Sequence, residues 1–291
     1  MLEFDWASAD LQRAEALCRL AGDLDPMGDT FREVSHLALH AMAHFPGGVE
    51  HLGSELGCNR MVLETVRDWL QDEGRPQPGC ALEAGCGPGA VLRVAAPLFE
   101  QGALGLDLRI GTLRLARRMV ESGEAFLPFC AEGRRFEPVR IQAEEAQRPR
   151  AGSLHLVEGD VLAPPLEAEA FQAVIAMSLL DSVADPLFAL GQLDALLAPG
   201  GLLLLGTPYS WDMRVTPPQA WWSASGTSSE STLRQALAGN HPVLPHLRYE
   251  ILREAPRLAW ALPGHGRLVY RFFLHMVLAR KSPEAGSLSI E

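Results

Sequence analysis

The spacing of apolar residues changes character near residue 80. Before that point, apolar side chains recur on one face at helical spacing, which predicts helices over residues 1–73. From Cys80 onwards, short continuous apolar runs alternate with amphipathic segments, a pattern typical of parallel strands that helices bury on both faces. The predicted strands are Cys80–Gly85, Ala103–Leu108, Leu154–Glu158, Ala173–Met177 and Gly201–Thr207, and helices are predicted to begin near Gly89, Ile110 and Ala184.

The last part of the chain predicts one more helix and a β-hairpin. The helix covers Ser231–Ala238, and a short link containing Pro and Gly joins two β-like runs, Tyr249–Leu258 and Leu268–Ala279. The predicted fold is therefore α/β: a doubly wound, mostly parallel, seven-stranded sheet with an N-terminal helical cap. Its predicted parts are the cap over residues 1–73, a ligand-binding domain over residues 80–281 and a flexible tail over residues 282–291.

Polar residues indicate where two of the N-terminal helices begin. The run Thr30-Phe31-Arg32-Glu33 has the form of a capping box, in which the Thr hydroxyl and the Glu carboxylate satisfy free N–H groups of the first turn. Asn59 precedes another apolar helical face and is predicted to cap that helix. Both signals predict helix starts within the cap.

Three histidines form a stripe on one of these helices. His36, His40 and His44 recur every fourth residue, so their side chains share one face. Histidines at this spacing are compatible with a metal site, or with a polar or substrate-facing side of the helix. No Cys or carboxylate lies on the same stripe, and no metal is predicted.

Charge and composition narrow the class of partner. The chain of 291 residues has a formal net charge of −11, which argues against nucleic acid because that partner needs a basic surface. Its five cysteines form no C-x-x-C pair, as expected in a reducing compartment. The sequence shows no signal peptide and no apolar run of about 20 residues. We expect a soluble cytoplasmic protein without a membrane or nucleic-acid partner.

The most specific motif is the run Ala81-Leu82-Glu83-Ala84-Gly85-Cys86-Gly87-Pro88-Gly89. It predicts a buried strand, a glycine turn and a helix start, where a ligand can approach the backbone closely because glycine has no Cβ. A dinucleotide, a phosphate or another adenosine ligand fits such a turn. The G-x-G-x-G spacing differs from the G-x-G-x-x-G of NAD sites, and no Gly-Lys-Ser/Thr follows to form a P-loop.

This motif resembles the first motif of class I S-adenosylmethionine (SAM) methyltransferases, in which an acid precedes three alternating glycines. The resemblance implies that Asp107, at the second strand end, binds the ribose hydroxyls, while Asp160 and the Val161 N–H face the adenine. Glu83 is expected to hold the glycine loop or the methionine amino group. The implied cofactor-binding set is Glu83, Gly85, Cys86, Gly87, Gly89, Asp107, Leu108, Asp160, Val161, Met177 and Ser178. An acid at the second strand also fits NAD, but the glycine spacing and Asp160 favour SAM.

Candidate acceptor residues follow the fourth and fifth predicted strands. Asp181 has two open interpretations: it positions or deprotonates the acceptor, or it caps the following helix. The rings of Tyr209 and Trp211 either sandwich a flat acceptor or pack a lid. Asp181 and Tyr209 are the predicted catalytic residues, and Asp181, Tyr209 and Trp211 the predicted substrate-binding residues.

A narrower resemblance covers roughly residues 80–280. The run Leu179-Leu180-Asp181 with Asp185-Pro186, and the run Thr207-Pro208-Tyr209-Ser210-Trp211, look like the mercaptohistidine N-methyltransferase domain of ovothiol biosynthesis. Ser182 stands where that family usually has Arg, and the long segment Phe126–Gly152 is also similar. The resemblance implies SAM-dependent N-methylation of a thiohistidine-like imidazole amino acid. The alternatives are methylation of an unrelated small metabolite or a peptide, and a non-catalytic SAM-binding partner module.

Overall fold

The computed structural model describes residues 5–46, 53–73, 78–143, 153–224 and 226–283. The helices are α1 (Leu11–Asp23), α2 (Asp29–His44), α3 (Gly53–Asp72), α4 (Ala90–Ala95), α5 (Ile110–Ser122), α6 (Pro186–Leu196) and α7 (Ser229–Leu237). The strands are β1 (Ala81–Ala84), β2 (Ala103–Asp107), β3 (Glu124–Glu132), β4 (Arg135–Gln142), β5 (Leu154–Glu158), β6 (Phe171–Met177), β7 (Leu197–Thr207), β8 (Tyr249–His265) and β9 (Leu268–Lys281).

Seven strands form the central sheet in the order β5-β2-β1-β6-β7-β9-β8. The first five are parallel to one another, and β9 runs antiparallel to both β7 and β8. This confirms the predicted α/β class and the mostly parallel seven-stranded sheet. The chain winds outward from β1 to β5 and then returns to β6, so the order reverses between β1 and β6. Ligands of doubly wound folds bind at such a reversal, outside the carboxyl ends of the strands.

Two β elements differ from the sequence prediction. The strand β8 continues to His265, seven residues beyond the predicted end, so the hairpin turns at Gly266 and Arg267. A second sheet of two strands, β3 and β4, occupies much of the segment after α5, for which no element was predicted. A proline lies inside each of these strands, at Pro128 and Pro138, and proline is uncommon in strand interiors, so the strand pattern is hidden. The remainder of that segment, residues 144–152, lies outside the described residues.

The N-terminal helices share a hydrophobic core with the sheet. A single cluster of buried side chains includes Leu17 of α1, Met42 of α2, Val66 of α3, Ile141 of β4 and Leu204 of β7. A β-bridge between Ser8 and Phe126 also fastens the start of the chain to β3. The helices therefore cover one face of the fold as an integral layer. No helix of the described residues is long and apolar enough to cross a membrane.

Both predicted helix starts in the cap are wrong. The helix α2 begins at Asp29 after Gly28, whose position carries no side-chain cap, and Thr30 already lies within the first turn. Asn59 lies inside α3, because that helix starts six residues earlier. The Asn59 side chain is fully buried, and its Nδ2 donates to the carbonyls of Ala43 (2.9 Å) and Ala261 (2.7 Å). Its Oδ1 accepts from the Ala261 N–H at 2.6 Å, so Asn59 joins α2, α3 and β8.

Replacing this asparagine tests how firmly the helical layer is attached. We expect Asn59→Ala to lower the free energy of unfolding by about 1–3 kcal/mol, because it leaves buried backbone groups without partners. Denaturant unfolding of the variant measures the change. The exposed Asn240, placed after α7, offers the matched control Asn240→Ala, which should stay close to wild type. Equal unfolding curves for both variants would show that the Asn59 contacts are not needed.

Candidate functional site

The glycine loop after β1 lies at the reversal of strand order. Gly85, Gly87 and Gly89 have φ angles of 68°, 54° and 86°, in the left-handed region that favours glycine. A Cβ added to Gly85 would lie 2.9 Å from Cδ1 of Leu179, so that side chain would have to shift to admit a larger residue. The N–H groups of Gly85 and Cys86 both donate to the Leu106 carbonyl, at 2.8 and 3.0 Å. The loop is therefore held against the end of β2.

Asp107 completes this attachment from the end of β2. Its Oδ2 accepts from the Gly87 N–H and its Oδ1 from the Arg109 N–H, each at 2.9 Å. Each carboxylate oxygen keeps a further lone pair, which suits two ribose hydroxyls. Leu108 beside it is 64% exposed, although it is a large apolar residue. An exposed apolar side chain next to a half-buried carboxylate fits the surface that a nucleoside would cover.

The end of β5 lies beside Asp107 at the end of β2. The N–H of Gly159 donates to the Asp107 carbonyl at 3.0 Å, and Oδ1 of Asp160 accepts from the Leu162 N–H at 2.8 Å. Asp160 is exposed, while Val161 is buried. Asp160 therefore braces its own turn with one oxygen and leaves the other available. The structure brings this predicted adenine contact beside the predicted ribose contact.

Glu83 is the most unusual polar group near the loop. It is 1% exposed, and its Oε2 has no hydrogen-bond partner among the described residues. Burial raises the pKa of Glu83 well above its usual range, and the nearby Asp107 adds to this, although a hydrogen bond from the Leu92 backbone opposes them. A buried acidic oxygen without a partner is costly. This oxygen is therefore suited to accept a hydrogen bond from the amino group of a bound ligand or from a bridging water.

Cys86 packs within the loop. Its Sγ lies 2.8 Å from the position of a Cβ at Gly105, so the thiol fills the space between loop and sheet. Burial, followed by the charges of Glu83 and Asp107, raises the pKa of the Cys86 thiol well above its usual value. A thiol held protonated is a poor nucleophile. The geometry fits a small loop-filling side chain.

The end of β6 faces the glycine loop. Ser178, next to Met177, has a φ of 52°, and its N–H donates to the Gly206 carbonyl at 2.6 Å. Asp181 is 4% exposed, and its Oδ2 accepts from the Ser210 N–H at 2.7 Å. Burial raises the pKa of Asp181 despite that hydrogen bond. Asp181 thus holds the loop after β7 in place through a buried carboxyl.

The capping interpretation of Asp181 is wrong. The N-cap of α6 is Asp185, whose Oδ1 accepts from the Phe188 N–H at 3.0 Å, with Pro186 at the first helical position. Asp181 lies four residues earlier, in a short 3₁₀ turn. Its positioning or catalytic role stays a prediction.

An aromatic cluster occupies the loop after β7. The centroid of the Tyr209 ring lies 6.1 Å from the ring centroid of Trp211, 6.0 Å from that of Trp222 and 5.9 Å from that of His275. Tyr209 has a φ of 53°, so the two central strands β6 and β7 are both followed closely by a residue in strained backbone. Such strain concentrates at functional sites. Nε1 of the buried Trp222 has no hydrogen-bond partner among the described residues.

The histidine stripe of α2 faces the glycine loop. A Cβ added to Gly87 would lie 3.2 Å from Cε1 of His44, so that ring is directly over the loop. At the other end of the stripe, Nδ1 of His36 lies 3.1 Å from the Arg109 guanidinium, and Nε2 of His36 lies 3.3 Å from Nε2 of His40. Since Arg109 can only donate, neutral His36 carries its proton on Nε2 and donates to His40.

These histidines stay uncharged near neutral pH. Burial lowers the pKa of His36 and of His44 to about 4 each, with Arg109 adding to the effect at His36. Burial and the neighbouring histidines lower the pKa of His40 well below its usual value. The stripe is thus a neutral polar surface above the glycine loop, and its substrate-facing role stays a prediction. Within the described ranges, no three His, Cys, Asp or Glu side chains form a group that could hold a metal ion.

Comparisons with known proteins agree with this geometry. Residues 58–250 match the model of a family described as a methyltransferase domain. The chain belongs to this family. Its fold is also that of magnesium protoporphyrin IX methyltransferase from Synechocystis PCC 6803, solved with SAM: the TM-score is 0.51 at 14% identity, covering 89% of this chain and 100% of that one. The structure of the same enzyme with S-adenosylhomocysteine gives a TM-score of 0.51 at 14% identity, covering 87% of this chain and 97% of that one.

One curated methyltransferase is related in sequence. The ubiquinone biosynthesis O-methyltransferase of Cereibacter sphaeroides is 29% identical over 171 residues, which are 56% of this chain and 63% of that protein. The chain thus spans less than two thirds of this relative's length. The predictions of a class I methyltransferase domain and of SAM as its cofactor are confirmed at the level of the family.

Proposed function

We propose that the chain transfers a methyl group from SAM to a small molecule, and that the acceptor is a thiohistidine-like imidazole amino acid methylated on nitrogen. The observation that carries the first part is the meeting of the glycine loop, Asp107 and Asp160 at one edge of the sheet, beside the unpartnered oxygen of Glu83. When bound, the cofactor supplies an electrophilic methyl group on a positively charged sulfur.

Each of these groups has a task that suits the cofactor. Asp107 holds the ribose hydroxyls, Asp160 and the Val161 N–H hold the adenine, and Leu108 covers its face. Glu83 offers its free oxygen to the methionine amino group, directly or through water. The neutral histidines of α2 close the site from the cap side without placing a positive charge beside the cationic sulfur.

The narrower part of the proposal rests on the loop after β7. Its motif resembles that of mercaptohistidine N-methyltransferases, and a flat imidazole suits the faces of Tyr209 and Trp211. Asp181 accepts from the backbone N–H of Ser210, the residue after Tyr209, and its proposed task is to help orient the acceptor. Methyl transfer gains much of its rate from such orientation, because the nucleophile must attack in line.

A second acceptor class is favoured by the curated relative. That protein is named for O-methylation in ubiquinone biosynthesis, so a ring hydroxyl is the competing acceptor. The same aromatic cluster suits a phenol as well as an imidazole. A peptide acceptor and a non-catalytic SAM-binding module are the remaining alternatives.

A product assay separates these functions. The purified protein is incubated with SAM and a panel of histidine-derived thiols, histidine, catechols and short peptides, and products are followed by mass spectrometry. We expect a mass gain of one methyl group on a thiohistidine, with S-adenosylhomocysteine formed in equal amount. Methylation of a catechol alone would assign the chain to O-methylation. Calorimetric SAM binding without any product across the panel would favour the non-catalytic module.

A further inference from the structure

A chain of hydrogen bonds leads from the Tyr209 hydroxyl to the surface of the protein. The Tyr209 oxygen lies 2.7 Å from Nδ1 of His275, and Nε2 of His275 lies 2.6 Å from Oε1 of Glu254. The guanidinium of Arg234 contacts the same Oε1 at 2.7 Å. His275 is 2% exposed and lies on β9 opposite Thr207, two residues before Tyr209. Neither His275 nor Glu254 belongs to the residues singled out from the sequence.

The ionised Glu254 determines which atom donates in each of these hydrogen bonds. Burial acts to raise the pKa of Glu254, but hydrogen bonds from Arg234 and His275 outweigh it and hold the pKa below its usual range. An ionised carboxylate only accepts, so Nε2 of His275 carries the proton and donates to Glu254. Neutral His275 then has its lone pair on Nδ1. The Tyr209 hydroxyl must therefore donate to His275.

This arrangement has the logic of a hydroxyl–imidazole–carboxylate triad. The hydroxyl is bonded to an imidazole that can take its proton, and the imidazole is oriented by a carboxylate that stabilises the resulting charge. Burial, with the nearby Glu230 carboxylate, raises the pKa of Tyr209, so the phenol stays protonated before any reaction. It becomes a proton acceptor only if its own proton can leave. Nδ1 of His275 is the group placed to receive it.

We infer that Tyr209 takes the proton of the methyl acceptor and that His275 and Glu254 are the positioning residues that enable it to do so. The acceptor nitrogen or oxygen forms its bond to the methyl carbon, and the carbon–sulfur electron pair stays on sulfur. The acceptor proton moves to the Tyr209 oxygen, and the Tyr209 proton moves to Nδ1 of His275. Glu254 stabilises the imidazolium, which returns its proton to water afterwards. This inference rests on the proposed function, because it places the acceptor beside Tyr209.

Other features of the loop support this site. The neighbouring Ser210 is held by the buried Asp181, and the Tyr209 N–H donates to Oγ1 of Thr207 at 3.1 Å, so the loop is fixed on both sides of the tyrosine. The unpartnered indole N–H of Trp222, whose ring contacts Tyr209, offers a donor to a ligand in the same cluster. The charged and titratable groups that face the Tyr209–His275 pair are Glu254 of β8, Glu230 and Arg234 of α7 and Asp181 after β6.

The direction of the relay is tested without an acceptor. In the full-length protein labelled with ¹⁵N-histidine, NMR should show His275 protonated on Nε2 and bare on Nδ1, and Tyr209→Phe should shift the Nδ1 signal. A proton on Nδ1 of His275 would overturn the inference, because Tyr209 could then not transfer its proton there. This outcome would not contradict the proposed methyltransferase activity, so failure of the relay can be distinguished from failure of the proposed function.

Turnover tests the relay with the acceptor that the product assay identifies. His275→Gln keeps a donor and an acceptor but cannot take up a proton, and Glu254→Gln removes only the charge. We expect each to lower turnover by ~10²–10⁴-fold, as for the loss of a general base. Calorimetric affinity for SAM should stay unchanged.

The pH profile separates the relay from a structural brace. The remaining rate of His275→Gln should rise steadily with hydroxide, so its pH profile should differ in shape from that of the wild type. The exposed His246 provides the control His246→Gln, which should behave as wild type. A loss in His275→Gln of equal size at every pH, with a lowered melting temperature, would overturn the relay and leave a structural role.

Discussion

Asp107→Ala is expected to weaken SAM binding by about 1.5–3 kcal/mol, the scale of hydrogen bonds to a charged group. This corresponds to a roughly 10- to 100-fold rise in dissociation constant. In the proposed site this carboxylate accepts from both ribose hydroxyls, and in the structure it also holds the glycine loop through the Gly87 N–H. Removing it therefore takes away direct contacts and loosens the loop. Titration calorimetry with SAM and with S-adenosylhomocysteine measures the loss.

A control separates binding from general damage. Asp68 is an exposed aspartate of α3 that pairs only with its neighbour Arg67 among the described residues, so Asp68→Ala should leave SAM affinity unchanged. Circular dichroism establishes that Asp107→Ala is folded. Wild-type affinity in a folded Asp107→Ala protein would rule out the ribose assignment and with it the proposed placement of the cofactor.

Asp181→Asn is expected to lower turnover by about 10²-fold if the carboxylate helps to orient the acceptor beside Tyr209, with little effect on SAM affinity. Asparagine keeps the shape, and its amide oxygen can still accept from the Ser210 N–H that Asp181 binds at 2.7 Å. Only the negative charge of the side chain is lost. Steady-state kinetics with the identified acceptor and calorimetry with SAM give the two quantities.

For the same variant, the stability is expected to stay the same or rise although turnover falls. Burial raises the pKa of Asp181, so this carboxyl favours the fold while it is protonated. That contribution is present below the ordinary aspartate pKa and is lost as the pH rises through the raised value. Asparagine cannot ionise. Asp181→Asn should therefore be as stable as wild type or more stable at pH 7, and the difference should shrink towards acid pH in thermal melts.

The N-cap of α6 supplies the matched control for this experiment. Asp185→Ala should cost about 1 kcal/mol of stability, because it removes the bond from the Phe188 N–H, and should leave turnover unchanged. A destabilised Asp181→Asn protein with normal turnover would assign Asp181 to holding the loop alone. A variant that is stable but slow would assign the residue to the acceptor.

Most of the cofactor site could be predicted from the sequence because its residues are local to strand ends. Gly85, Gly87 and Gly89 follow β1, Asp107 ends β2 and Asp160 follows β5. In a doubly wound sheet, the carboxyl ends of neighbouring parallel strands meet at one edge, so their order along the chain determines their proximity. The apolar runs and the glycine turn therefore determined the fold class and the side on which the site lies.

The rest was decided by the tertiary structure, because it depends on contacts between distant segments. Tyr209 and His275 are 66 residues apart, and only the antiparallel pairing of β7 with β9 places them together. Asn59 looked like a cap because nothing in its surroundings reveals a partner 202 residues away. The sequence by itself predicted which strand ends form the candidate cofactor site. Long-range packing decided which buried groups surround Tyr209, since no spacing rule connects residues on strands and helices that meet only in the folded chain.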